Sequence, residues 1–178
     1  MSSVTIRPYR IEDAAAVLEA VQESVVEVGC WMAWCHPGYA RAHATAWIAT
    51  QVAAFERRTA FEFAIVGSDG RYLGGCGLNQ IDSGNRRANL GYWVRSTMTR
   101  RGIATNAVGL VRRWAFANTN LIRLEIVAAT GNTCSQRVAE KAGATREGIL
   151  RNRLLVHECA QDAVVYSFIR SMSESSGA

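Results

Sequence analysis

A basic turn followed by small residues is the part of this sequence best suited to bind a phosphorylated ligand. The apolar stretch Leu90–Val94 reads as a strand, and the pair Arg100 and Arg101 precedes Gly102 and Ala104 at the start of a predicted helix. The first backbone N–H groups of a helix lack intrahelical partners and attract anions, and small residues let a phosphate approach them closely. The pattern predicts a site for a diphosphate group.

A second strand and helix follow at the spacing needed to stand beside the first pair. Leu121–Ala128 is a predicted strand, and Thr133–Ala142 is a predicted short helix. Thr133 and Gln136 fit a capping box, which makes Thr133 the expected N-cap, and Gly143 suits the C-terminal end. Two helix starts beside two strand ends therefore predict one binding region.

The hydrophobic periods of the rest of the chain predict a mixture of helices and strands. The remaining predicted elements are a strand at Thr5–Pro8, helices at Glu12–Val28 and Tyr39–Arg58, strands from Phe61, over Arg71–Ile81 and over Arg86–Val94, a helix at Gly102–Thr119, and strands at Leu150–Glu158 and Asp162–Arg170. The glycine-rich run at 74–77 lies inside a strand and predicts a bulge or a close approach of strands. We expect one domain over residues 1–170 and a disordered tail at 171–178.

Composition limits the classes of function. The 178 residues carry a net charge of +5, with arginines dispersed rather than gathered in a stripe, so we expect no nucleic-acid partner. No apolar run has the roughly 20 residues that cross a bilayer, and the start lacks a secretory signal, so we expect a cytoplasmic protein without a membrane partner. Five cysteines fit reduced thiols, and the spacing of the Cys30, Cys35, His36 and His43 group matches no common zinc site, so we expect no metal.

Several short motifs, in order and spacing, resemble the GNAT superfamily of acyl-CoA-dependent N-acetyltransferases, and more narrowly its Rim-type branch of ribosomal-protein N-acetyltransferases. The motifs are Leu90–Val94, Arg100–Thr105, Asn132 with Ser135, Glu140–Gly143 and Glu147–Arg151. The resemblance covers nearly the whole chain. It implies an α/β (α+β) fold with a mixed, mostly antiparallel central sheet of about seven strands, a splay between two central strands, and helices on both faces.

The resemblance also implies which residues bind acetyl-CoA, the expected co-substrate. The backbone of Trp93 and Val94 would hydrogen-bond the pantetheine arm, with Asn132 beside it, and Ser135 would stabilise the departing thiolate. The diphosphate would lie on the turn made by Arg100, Arg101, Gly102, Ile103, Ala104 and Thr105. Many members of the superfamily place a tyrosine general acid where this chain has Ala139, so Ser135 is the expected catalytic hydroxyl.

The acceptor amine is less clearly indicated. Many Rim-type members carry a glutamate where this chain has Asn89, and Glu125, on the neighbouring predicted strand, is the next candidate base. Near pH 7 roughly a tenth of an α-amine is uncharged but under about a thousandth of a lysine amine is, so a weak base favours an α-amine such as a protein N-terminus. The large residues Trp31, Trp34 and Tyr39, together with Tyr92, either cover the core or form a wall of the acceptor site.

Three alternatives remain open at the level of sequence. The acceptor could be a small amine such as an antibiotic or a polyamine, and the donor could carry a longer acyl group such as succinyl. A non-catalytic acyl-CoA sensor would also fit, since the usual tyrosine and glutamate are absent. We expect direct transfer in a ternary complex, with Cys134 as the rival nucleophile. The sequence leaves the oligomeric state open, a homodimer included.

Overall fold

The computed structural model describes residues 4–171, which form one seven-stranded sheet with helices over both faces. The strands are β1 (Val4–Pro8), β2 (Phe61–Gly67), β3 (Tyr72–Asp82), β4 (Arg87–Val94), β5 (Arg123–Ala129), β6 (Thr145–Val156) and β7 (Cys159–Ile169), and the helices are α1 (Ala14–Gln22), α2 (Arg41–Glu56), α3 (Ile103–Asn118) and α4 (Thr133–Lys141). The strand order is β1-β2-β3-β4-β5-β7-β6. Neighbouring strands are antiparallel except β4 and β5, which confirms the predicted mixed sheet.

Two hydrophobic cores sandwich this sheet. Ala64 packs beneath α1 and α2, whereas the adjacent Ile65 belongs to the core beneath α3. Successive side chains of a strand point to opposite faces, so apolar residues at neighbouring positions of β2 require cover on both sides. On the α3 side, the Trp114 ring lies 4.8 Å from the Phe61 ring and 4.9 Å from the Phe63 ring, centroid to centroid. The helices are thereby fixed against the strands that form the site.

Some element boundaries differ from those predicted. The first helix ends at Gln22 rather than Val28, and residues 23–31 form turns instead. The Ser24 hydroxyl donates to the Ala20 carbonyl oxygen and accepts the Ser96 N–H, so a contact with a distant segment replaces further helix. β6 begins at Thr145, before the predicted Leu150. Residues 172–178 of the predicted tail lie outside the described residues.

Candidate active site

The central parallel pair of strands separates along half of its length. The pairing of β4 with β5 ends at Asn89 and Glu125, while β4 continues to Val94 and β5 to Ala129. We call the space between Leu90–Val94 and residues 126–129 the gap. Alternate peptide groups of a strand point to opposite sides, so those of β4 that do not face β3 face the gap. The predicted splay is present, with Trp93 and Val94 at its edge.

Helix α3 begins next to the end of β4, and its first backbone N–H groups are hydrogen-bond donors without a partner in the helix. Gly102 is the N-cap, in the left-handed conformation with φ of 76°. The first helical bond runs from the Asn106 N–H to the Gly102 oxygen over 3.0 Å, so the N–H groups of residues 103–105 have no partner within the helix. Ile103 is buried in the core and fixes the first turn of the helix, whereas Ala104 and Thr105 beside it are partly exposed. Arg100 and Arg101, both exposed, supply positive charge just before this end.

An ion-pair network around the buried Arg95 side chain ties the segment between β4 and α3 to helix α1. The Arg95 side chain is 2% exposed and donates to the Glu23 carboxylate at 2.7 and 2.6 Å and to the Glu19 carboxylate at 2.5 Å. The hydrogen bond with Arg95 lowers the pKa of Glu23 to about 2. The Ser96 N–H also donates to the Ser24 hydroxyl at 3.0 Å. The chain leading to the helix start is therefore held on one side.

Two hydroxyl groups meet across the gap. The Tyr92 hydroxyl of β4 lies 2.9 Å from the Ser135 Oγ and donates to the Ser135 carbonyl oxygen at 2.9 Å. Burial raises the pKa of Tyr92 well above its ordinary value, so the phenol stays protonated near neutral pH. Sequence reasoning placed Tyr92 with the acceptor and missed its contact with Ser135, because spacing alone does not show which strand residue reaches across a splay.

The N-cap of α4 differs from the prediction. Asn132, not Thr133, is the N-cap, and its Oδ1 accepts the Ser135 N–H at 3.0 Å. The physical reason is that Thr133 already has helical geometry, whereas the Asn132 side chain reaches the N–H three residues ahead, as capping residues do. The amide oxygen of Asn132 is thus occupied in fixing Ser135.

A cavity of about 570 Å³ opens beside β4, on the side of the sheet covered by α1 and α2. Its lining is rich in aromatic rings and consists of Tyr9, Val17, Met32, Trp34, His36, Tyr39, His43, Ala46, Trp47, Glu62, Tyr72, Gly75, Asn79, Gly91, Tyr92 and Trp93. Trp34, Tyr39 and Tyr92, expected at the acceptor site, lie together here. Trp31 does not line this cavity: its ring lies 3.2 Å from where a side chain on Gly131 would begin.

The cavity is lined by a carboxylate, that of Glu62, which the sequence analysis did not single out. The Glu62 Oε1 accepts a hydrogen bond from Asn79 at 3.1 Å, and Asn89 donates to the Asn79 Oδ1 at 2.9 Å. Burial raises the pKa of Glu62 to about 7. The position expected to carry a glutamate, Asn89, is therefore joined to one through a single amide.

Glu125 lies elsewhere. Its carboxylate accepts from Arg123 at 2.7 Å and lies 3.6 Å from Arg87, and Arg123 also binds Glu147. Glu125 is not among the residues that line the cavity. Glu125 therefore belongs to an ion-pair network, the alternative that its neighbouring arginine suggested, and its assignment as a base stays a prediction.

The arrangement of gap, exposed helix start and bridging hydroxyls agrees with the comparison to known families. The Acetyltransferase (GNAT) domain matches residues 3–145. The chain belongs to the GNAT acetyltransferase family. It is an acyl-CoA-dependent acetyltransferase. YdaF of Bacillus subtilis (strain 168), a provisionally named ribosomal N-acetyltransferase, is 29% identical over 168 residues, which cover 94% of this chain and 91% of YdaF.

Solved GNAT structures share the fold. The microcin C7 self-immunity acetyltransferase MccE, in complex with acetyl-CoA and AMP, superposes with a TM-score of 0.87 at 21% identity and covers 94% of this chain and 92% of its own. RimL, a ribosomal L7/L12 α-N-protein acetyltransferase in complex with coenzyme A, gives a TM-score of 0.87 at 17% identity, with 95% of each chain covered.

Two further observations concern metal ions and membrane-spanning helices. Within residues 4–171, no three histidine, cysteine or acidic side chains come together as a set that could hold a metal ion. None of the helices described there is both long and apolar enough to span a bilayer.

Proposed function

We propose that this protein transfers an acetyl group from acetyl-CoA to a primary amine, by direct attack within a ternary complex. The observation that supports it is the gap, which connects the start of α3 at one end with the Tyr92 and Ser135 hydroxyls inside. The donor molecule needs an anion site, a peptide-like channel and a place for its sulfur, and these three features lie in that order.

The backbone would do most of the donor binding. The N–H groups of residues 103–105 point at the diphosphate, with Arg100 and Arg101 adding charge, and the gap-facing peptide groups near Trp93 and Val94 hydrogen-bond the amides of the pantetheine arm. Asn132 adds its side chain at the far end of the gap. The main-chain groups of β4 are held by the sheet, and the segment that leads to α3 is held by Arg95.

Ser135 would stabilise the thiolate that leaves when the thioester breaks. Its hydroxyl can donate to the sulfur, while the Tyr92 hydroxyl, 2.9 Å from the Ser135 Oγ, donates to the Ser135 carbonyl oxygen and holds the serine in place. A hydrogen bond to a charged acceptor is about twice as strong as one between neutral groups, and it is placed before charge develops. Tyr92 thereby supports the function for which many relatives use a different tyrosine.

The acceptor would be an α-amine, at the N-terminus of a protein or peptide, with a small free amine as the second candidate. The name of YdaF makes a ribosomal protein the first macromolecule to test. The partly open cavity beside β4 is the observation that supports a small amine as the second candidate. We place the protein in the cytoplasm, which agrees with its five free cysteines.

Three measurements test this function. Calorimetry with coenzyme A should show binding, and thiol release from acetyl-CoA should depend on an added amine. A sensor would bind coenzyme A and release no thiol with any amine. Double-reciprocal plots of initial velocity against the concentration of one substrate, at several fixed concentrations of the other, should give intersecting lines. Parallel lines in the parent that become intersecting in Cys134→Ser would instead indicate an acetyl-cysteine intermediate.

A further inference from the structure

We propose that the cavity binds a primary amine attached to a bulky apolar group, and that Glu62 binds the ammonium and accepts its proton. This inference rests on the proposed function and specifies its acceptor. The shared chemistry is a cation on an apolar body, which is met in a free arylalkylamine and in a peptide that begins with a large apolar residue.

The walls of the cavity fit an apolar body. The Trp34 ring lies 5.4 Å from the Trp93 ring, and the Tyr9 ring lies 4.9 Å from the Trp47 ring, in edge-to-face geometry. A volume of about 570 Å³ is in the range of pockets that enclose drug-sized ligands. A terminal serine or alanine would leave most of these rings without contact, and the dispersion energy of the wall would be lost.

The charges of the cavity fit a cation. Of the lining residues within the described chain, Glu62 is the one carboxylate, and neither lysine nor arginine is among them. Aromatic faces also attract ammonium groups. An amine that carries a second, negative group near the nitrogen would meet Glu62 without a compensating cation. The cavity therefore selects for a net positive acceptor.

Two glycines without side chains, Gly77 and Gly91, lie between the Glu62 carboxylate and the gap. A Cβ on Gly77 would lie 2.2 Å from the Glu62 Oε2, so the carboxylate lies directly over this glycine. Gly77 pairs with Gly91 of β4, which stands beyond the last residue that β4 pairs with β5. Adjacent strands are about 4.8 Å apart, so the carboxylate is about one strand spacing from the edge of the gap. An amine nitrogen that contacts the Glu62 carboxylate can therefore also reach a thioester carbon at the edge of the gap.

The neighbours of Glu62 leave one of its oxygens for a ligand. Asn79 occupies Oε1 and is itself held by Asn89, whereas Oε2 is the atom over Gly77. A carboxylate that is fixed through one oxygen presents the other in a defined direction. Glu62→Gln keeps an oxygen for Asn79, which makes it a conservative test.

The proton balance is complete without a further reagent. The substrate ammonium gives one proton to Glu62, its nitrogen forms a bond to the acetyl carbon, and the carbon–sulfur bond breaks. The second nitrogen proton ends on the coenzyme A sulfur, with Ser135 donating a hydrogen bond to the thiolate in between. Glu62 then releases its proton to water. A carboxyl with a pKa of about 7 is half ionised at neutral pH, which suits a general base.

Other titratable groups lie near Glu62 and set its background charge. Burial raises the pKa of Tyr9, Tyr72 and Cys76 above their ordinary values, so all three are neutral near pH 7. His36 and His43 also line the cavity, from the α1–α2 connection and from α2. The pH profile is therefore compared between the parent and variants of Glu62, in which these neighbours are unchanged.

A panel of amines tests the acceptor class. We expect kcat/KM for 2-phenylethylamine to exceed that for ethanolamine by about 10²-fold, since each apolar group that fills a pocket contributes a factor of ten or more. A peptide beginning with Phe, compared with one beginning with Ser, separates a peptide source from a free amine. A preference for ethanolamine, spermidine or the Ser peptide would overturn the inference, while failure of every amine and of coenzyme A binding would instead reject the proposed function.

Filling the cavity gives a second test that does not involve Glu62. Ala46 lines the cavity, and Ala49, three residues later on α2, does not. Ala46→Phe should raise KM for 2-phenylethylamine about tenfold and leave the Kd for coenzyme A unchanged. Ala49→Phe is the matched control with no effect on KM. Equal KM values in the two variants would place the acceptor elsewhere.

The base is tested by pH profiles. In the parent, kcat/KM should rise up to a pH of about 7 and then level off. Glu62→Gln should lower kcat/KM about 10²-fold and remove the plateau. In that variant kcat/KM should keep rising with pH until the pH reaches the pKa of the amine substrate. Glu56→Gln, an exposed glutamate on α2, is the control. A parent-like profile in Glu62→Gln, or loss of the plateau only in Glu125→Gln, would overturn the assignment.

Discussion

Replacing the buried arginine that anchors the segment before α3 should destabilise the protein in a pH-dependent manner. Arg95→Met keeps the packing volume and removes the partner of Glu23, whose carboxyl has a pKa of about 2 instead of 4.5. At 1.36 kcal/mol per pKa unit the pairing corresponds to roughly 3 kcal/mol, and we expect about 2 kcal/mol because the Glu23 side chain is partly solvated. The sign follows from the lowered pKa: this stability is present above pH of about 4.5 and is lost as the pH falls through about 2.

Denaturant unfolding of Arg95→Met and of the parent at pH 7 and at pH 2.5 would measure this effect. The difference in unfolding free energy should be near 2 kcal/mol at pH 7 and should shrink at the lower pH. Arg57→Met, at an exposed arginine after α2, should change stability by less than about 0.5 kcal/mol. A difference for Arg95→Met that is the same at both pH values would refute the electrostatic reasoning and leave only a packing effect.

Three further predictions concern the donor site. Gly102→Val should raise the Kd for acetyl-CoA at least about tenfold in calorimetry, because a β-branched residue resists a φ of 76° at the helix start; an unchanged Kd would place the diphosphate elsewhere. Ser135→Ala should lower kcat about 10²-fold with little change in the Kd for coenzyme A, and Tyr92→Phe should lower kcat less. An unaltered kcat in Ser135→Ala would exclude the serine from the reaction. Asn132→Ala should cost about 1 kcal/mol of stability in thermal unfolding through the lost cap, and Thr133→Ala should cost clearly less.

The helix and strand patterns that repeat locally could be predicted from sequence. The helix expected at Gly102–Thr119 is observed at Ile103–Asn118, because a glycine cap and a regular apolar stripe define both its start and its buried face. The first helix could not be bounded in the same way. It ends where Glu23 and Ser24 turn toward Arg95 and Ser96, more than 70 residues away, and no local pattern reports such a contact.

The site shows the same division between local and tertiary information. The turn at Arg100–Thr105 could be located because its chemistry resides in consecutive backbone groups. Glu62 could not be singled out, because a glutamate between two phenylalanines is typical of a strand with one solvated face. Its surroundings depend on residues of α1 and α2 that line the same cavity and on the missing side chain at Gly77, all of which belong to other segments.

The short pairing between β4 and β5 has a consequence for whatever occupies the gap. Three residue pairs, from Arg87 with Arg123 to Asn89 with Glu125, join these two strands. Beyond them, the side chains of Tyr92 and Ser135 meet. A molecule that enters the gap would therefore replace no hydrogen bond between the two strands, and its peptide-like groups could pair with main-chain groups of β4 that no neighbouring strand uses.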